Sequence, residues 1–174
     1  MIMKRWLGFL LLLFPLIAIA EVRDPGQNFF NPKLGDFKEE LAVARQEGKK
    51  AVMLFFEMDD CPFCARMKST ILNQSDVQDF YRRNFLMYPI DTQGDTPMTD
   101  FSGKDTIEKA FALEHRVRAT PTIVFFDLDG KLIVRHTGPA KDKDDFILLA
   151  KYVLEGAYQT MPYTRYKQNQ NSKQ

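Results

Sequence analysis

The chain has 174 residues, 45% of them hydrophobic, and its 24 Lys and Arg against 23 Asp and Glu leave a net charge of +1. That is apolar material enough for one globular domain, and the near-neutral balance argues against nucleic acid or a strongly acidic surface as the partner. Fifteen Phe and six Tyr require a filled core or an exposed aromatic surface, and the chain holds only two Cys.

Residues 1–20 have the layout of a secretory signal peptide. Lys4 and Arg5 make a positive start, Trp6 to Ile19 is apolar apart from Gly8 and Pro15, and Ala18-Ile19-Ala20 is a small-x-small cleavage site. The apolar run is short for a membrane span, and no Cys follows it to carry a lipid. The alternative is an uncleaved anchor. The mature chain is expected to begin at Glu21, outside the cytoplasm.

Residues 21–35 contain Pro25, Gly26 and Pro32 and are expected to form an extended arm, with Phe29 and Phe30 packing onto the domain. Asp36 and Glu39 have capping-box spacing. They open a helix of about eleven residues with Phe37, Leu41 and Ala44 on one face and Gly48 as its stop. Ala51–Glu57 is apolar on both alternating faces: Val52, Leu54 and Phe56 point one way, Met53, Phe55 and Glu57 the other. A strand of that kind lies inside a sheet covered on both sides. Cys61-Pro62-Phe63-Cys64 follows, and Pro62 suits the first turn of a helix running to Leu72.

Ser75 and Gln78 form a second capping box and predict a helix to about Arg83. Phe85–Ile90 reads as a strand, with Pro89 marking its end or an edge. Thr92–Lys104 is a polar loop of unusual length. Asp105 and Glu108 are placed to cap a helix carrying Ile107, Ala110 and Phe111. Thr122–Asp127, the turn Leu128-Asp129-Gly130 and Lys131–His136 make a hairpin. Asp144–Gly156 is an amphipathic helix with Phe146, Leu149, Ala150 and Val153 inward, and residues 159–174 are polar and expected to be disordered. Alternating helices and strands followed by a hairpin describe an α/β fold, a mixed sheet with helices on both faces.

The chemistry rests on the Cys pair. Cys61 and Cys64 leave the end of a buried strand and enter a helix, which is a redox arrangement. Outside the cytoplasm such a pair can exist as a disulfide. A bond enclosing only two residues constrains the chain little, so its value is chemical rather than structural. Cys61, at the helix N-terminus, is expected to be the more exposed and to have its thiolate stabilised by the free N–H groups there. Cys64, one turn in, is expected to be buried and to resolve a mixed disulfide formed on Cys61. His115 and His136 lack the paired spacing of a zinc site. They are expected at the surface, and neither a metal nor a bound cofactor is expected. A binding module with an inert Cys pair is the non-enzymatic alternative.

Cys61-Pro62-Phe63-Cys64 after a buried strand, with Thr120-Pro121-Thr122 before a later one, resembles the thioredoxin superfamily over about Asp36 to Gly156, within an expected thioredoxin-like domain of residues 36–158. The resemblance implies a thioredoxin fold, here with an N-terminal extension, and a cis Pro121 facing the disulfide. It also implies that Thr120 offers its backbone to a bound client, beside Pro62 and Phe63. Phe55-Phe56-Glu57, the run Cys61 to Met67 and the stretch Tyr152 to Tyr158 look most like the periplasmic SoxW-like thioredoxins. The chain departs from the family in three places. Asp60 stands where Trp is common, Pro62-Phe63 replaces Gly-Pro, and Phe55 occupies the place of a buried Asp that moves the second cysteine's proton. Glu57, on the same strand face, is the candidate for that proton role toward Cys64; a solvated strand-end Glu is the alternative.

For direction, Phe63 lacks the thiolate-stabilising His of the periplasmic oxidases, and Asp59 and Asp60 oppose a thiolate at Cys61, with Arg66 and Lys68 as partial offsets. The expectation is a periplasmic, monomeric reductase of client proteins with disulfides, and the resemblance implies a transmembrane thiol electron donor. An oxidase is the alternative, as is an isomerase, although the chain has no dimerisation domain.

Overall fold

The computed structural model describes residues 21–32 and 35–172; the signal peptide expected over residues 1–20 lies outside them. In chain order the elements are α1 (Pro25–Asn28), α2 (Phe37–Gln46), β1 (Ala51–Glu57), α3 (Pro62–Thr70), α4 (Ser75–Asn84), β2 (Phe85–Asp91), β3 (Pro97–Thr99), β4 (Asp105–Ile107), α5 (Glu108–Glu114), β5 (Thr122–Phe126), β6 (Leu132–Thr137), α6 (Lys143–Leu154) and α7 (Tyr163–Asn171), with a 3-10 turn at Ala157–Gln159 before the last.

The main sheet has the order β2-β1-β5-β6. β1 runs parallel to β2, pairing Ala51 with Phe85 through to Glu57 with Asp91, and antiparallel to β5, pairing Leu54 with Val124. β5 and β6 form the antiparallel hairpin, with a bulge at Phe125/Phe126. The alternation in β1 sorts its side chains into two cores, as the sequence pattern requires. Met53 and Phe55 join Phe29, Phe30, Met67, Tyr81 and Phe146 on the face covered by α3, α4 and α6. Val52, Leu54 and Phe56 join Phe37, Leu41 and Phe111 on the face covered by α2 and α5. Each such side chain contributes about 1.5–3 kcal/mol through burial, so β1 is fixed from both sides and its end is a firm base for the Cys motif.

Four expectations are corrected. The arm is not simply extended: Asp24 caps α1 by accepting from Gln27 N–H, and Pro25 pre-sets its first turn. Phe29, fully buried, meets Phe30 edge-on at 5.1 Å, and Asn31 exchanges two 2.8 Å bonds with the Met87 backbone at the open edge of β2. Ser75 does not cap α4; Gln74 holds that place without a side-chain bond. The Gln78 amide is drawn instead to the carbonyls of Leu72 and Arg23. Asp105 is no cap either. It begins β4, which pairs with β3 inside the expected Thr92–Lys104 loop, and α5 starts at Glu108 with no side-chain cap.

The polar tail is helical. Tyr166 of α7 is 4% exposed and packs at a tilt against Tyr152, ring centroids 5.2 Å apart. Lys167 Nζ meets Asp145 Oδ1 at 2.6 Å, and the Tyr163 hydroxyl donates to the same carboxylate at 3.0 Å. Its apolar contacts are tyrosines, which a hydropathy pattern does not register. Among the described residues no helix is long and apolar enough to cross a membrane.

Candidate active site

β1 ends at Glu57, and Met58-Asp59-Asp60 carries the chain into α3 with Cys61 as N-cap. The extended Cys61 backbone turns its side chain back over the first turn, where Cys64 N–H donates to Cys61 Sγ at 3.1 Å. The two cysteines form a disulfide with a Cα–Cα distance of 5.2 Å. Cys61 is 4% exposed and Cys64 2%, so the expected difference in exposure is absent. The N-cap geometry folds the Cys61 sulfur into the core cluster that also holds Cys64 and Met67. Phe63 between them is 54% exposed, and Pro62 beside it lies in the first turn.

The Thr120–Pro121 peptide bond is cis. Thr122, the first residue of β5, pairs with Phe56, so Thr120 and Pro121 lie at the sheet end from which the Cys loop departs. Two bonds hold this turn: Gly138 N–H donates to the Pro121 carbonyl at 2.9 Å, and the Thr122 hydroxyl donates to the Ala119 carbonyl at 2.7 Å. The Thr120 hydroxyl oxygen is buried without a hydrogen-bond partner.

Glu57 is not a solvated strand end. Its side chain is 17% exposed, and its carboxylate meets Lys68 Nζ at 2.5 Å. Both line a cavity of about 180 Å³ together with Cys61, Cys64, Asp59 and Asp91. A second cavity of about 580 Å³, between the arm and α3, shares the wall formed by Glu57, Ala65 and Lys68 and is otherwise bounded by Phe30, Pro25 and Pro89 among others. Sequence pattern alone does not place Lys68 and Asp91 in one cavity with Glu57. The available signal was that Lys68 follows Cys64 by one helical turn and that Asp91 ends the neighbouring strand.

The two histidines lie elsewhere. His115 packs edge-on against Phe111 at 4.4 Å, and His136 meets Tyr163 at 5.6 Å. Both are half-buried, which corrects the expectation of surface residues, and that burial lowers the pKa of each below its ordinary 6.5. Among the described residues no group of His, Cys, Asp and Glu is arranged to hold a metal ion. A buried acid, Glu40, sits on the opposite face of the sheet and accepts a short hydrogen bond from Tyr88. Burial, with Glu40 adding to it, pushes the Tyr88 phenol far above its ordinary value.

A family model described as a thioredoxin-like domain matches residues 37–154. Among solved structures, a thioredoxin-fold protein from Helicobacter pylori is 20% identical with a TM-score of 0.59, over 73% of this chain and 88% of that one. A structure titled DsbH oxidoreductase is 23% identical with a TM-score of 0.56, over 85% and 94% of the two chains. A thioredoxin from Thermus thermophilus is 25% identical with a TM-score of 0.52, over 68% and 84%. These are likenesses of fold. No curated protein matches the sequence.

Proposed function

The chain belongs to the thioredoxin-like family, and from that premise we propose that it is an exported thiol:disulfide oxidoreductase that reduces disulfides in client proteins. The observation that carries this reading is the Cys61–Cys64 disulfide at the start of α3, its sulfurs lining a cavity shared with Glu57.

In the reduced pair, the Cys61 thiolate attacks a client disulfide, forms a mixed disulfide and releases one client thiolate. Cys64 then gives its proton to Glu57 and attacks Cys61 Sγ. The second client thiolate leaves, the Cys61–Cys64 disulfide closes, and two electrons have passed to the client. Thr120 pairs its backbone with the client chain beside Pro121, while Pro62 and Phe63 form the contact surface at the helix end. The reducing direction is favoured by the carboxylates of Asp59, Asp91 and Glu57 around the sulfurs, because negative charge destabilises a thiolate and so the reduced form of the pair. Residues 1–20 act as the export signal to the periplasm. A transmembrane thiol carrier returns the pair to the dithiol, and the protein works as a monomer of the SoxW-like type.

Insulin reduction driven by dithiothreitol tests the reading. The native protein is expected to accelerate precipitation of the insulin B chain, and Cys61→Ser to fall to the uncatalysed rate. Absence of turnover by the native protein would leave only a binding module.

A further inference from the structure

We propose that Lys68 is a positioning residue for the resolving step: its ammonium holds the Glu57 carboxylate at the wall of the cavity onto which Cys64 opens. This rests on the oxidoreductase reading given above.

Glu57 is the last residue of β1, where a strand-end side chain is ordinarily free to turn into water. Here it is 17% exposed and its carboxylate is 2.5 Å from Lys68 Nζ. Lys68 follows Cys64 by four positions on α3, and residues so spaced lie on one helical face. The helix that carries the resolving cysteine therefore also carries the cation that restrains its proton acceptor.

The charges around Glu57 make this restraint necessary. Asp59 and Asp91 line the same cavity, and Lys68 is its sole cation among the described lining residues. Glu57 and Asp91 are register partners on adjacent parallel strands. Asp91 is held by its own turn, where its Oδ1 accepts from Gln93 N–H at 2.9 Å. Asp60 and Arg66 flank the helix start without lining this cavity. Arg23 and Asp24 face the same Glu57–Lys68 wall from the larger cavity, but Arg23 is engaged by Glu21 and Asp79. Without Lys68, repulsion from Asp59 and Asp91 favours rotation of Glu57 out of the cavity. The two carboxylates that remain, Asp59 and Asp91, would then oppose ionisation of the thiols uncompensated.

Lys68 neither donates nor accepts a proton. When Cys64 attacks the Cys61–client disulfide, the S–S bond to the client breaks and the Cys61–Cys64 bond forms. The client sulfur departs as thiolate, and the Cys64 proton passes to Glu57. Lys68 fixes where that carboxylate stands.

The resolving step can be isolated with Ellman's reagent. One equivalent added to the reduced protein places a thionitrobenzoate on Cys61 and releases one; Cys64 then expels the second, which is read by absorbance. For Lys68→Met this second phase is expected to slow about 3- to 10-fold at pH 7 and its pH midpoint to rise by about 0.5–1 unit. Lys68→Arg restores most of the rate, and Glu57→Gln/Lys68→Met is no slower than Glu57→Gln alone. Lys68→Gln serves should the Met variant fail to fold. A Lys68→Met or Lys68→Gln profile that superimposes on the native one, or additive effects in the double variant, would overturn the proposal while leaving the oxidoreductase reading intact. No thionitrobenzoate release from the native protein would remove that reading and this inference together.

Discussion

Phe63 is 54% exposed between two cysteines that are 4% and 2% exposed, so a partner approaching this helix end meets an aromatic ring before it meets sulfur. Aromatic residues, Phe among them, are enriched at protein interfaces relative to the rest of the surface. Phe63→Ala is therefore expected to raise KM for insulin in the reduction assay about 5-fold, equivalent to about 1 kcal/mol, with an unchanged melting temperature. A matching loss in kcat alone would place Phe63 in the chemistry instead of the contact. The same neighbourhood marks what single residues disclose in a sequence. Glu57 could be placed on the motif side of β1 because strand alternation has a fixed period. Its partner Lys68 could not, because their meeting depends on the angle at which α3 leaves the strand. The burial of Cys61 was likewise hidden, since exposure at a helix start depends on whether the N-cap side chain turns inward or out.

At the scale of elements, α7 departs most from its sequence pattern. It is polar in composition yet closes over the C-terminal half of α6 through Tyr163 and Tyr166. Removing the Tyr166 ring, 4% exposed, leaves a cavity against Tyr152. Tyr166→Ala is expected to cost about 3 kcal/mol in urea denaturation. The charge contact beside it predicts an acid response. Burial alone would push the Asp145 carboxyl up, but hydrogen bonds from the Lys141 N–H, Lys167 and Tyr163 outweigh it and hold its pKa below the ordinary 3.8. A depressed carboxyl pKa gives stability that is complete above the unfolded value and is lost as pH falls through the folded one. His136 acts at higher pH. Its lowered pKa, like that of His115, means the unfolded chain takes up a proton first, so stability begins to fall below pH 6.5. Melting temperatures measured from pH 7 to pH 2 are expected to decline in these two stages. Asp145→Asn is expected to flatten the limb below about pH 4; an unaltered limb would separate Asp145 from acid stability. The capping boxes misread at Ser75 and Asp105 have a similar lesson. Spacing marks a possible cap, but Gln78 found backbone carbonyls and Asp105 found a strand partner.

Across the whole molecule, the sheet and its two cores were legible because β1 is apolar on both faces and lies at the centre, where each face must be covered. The helix–strand alternation and the closing hairpin were legible for the same reason, as period and turn chemistry survive without tertiary context. What needed three dimensions is the gathering of Glu57, Asp59, Asp91 and Lys68 around one disulfide. Those groups come from the end of β1, its following loop, the end of β2 and one turn of α3. Their sum is negative, and the account turns on that sign: carboxylates near the sulfurs destabilise the thiolate, and a pair whose reduced form is destabilised gives up electrons readily. Equilibration of the Cys61–Cys64 pair with dithiothreitol of known redox poise measures this directly. The account predicts a reduction potential near or below that of thioredoxin, about −270 mV. A value near about −120 mV, that of the strong oxidant DsbA, would contradict it and make the protein a donor of disulfides.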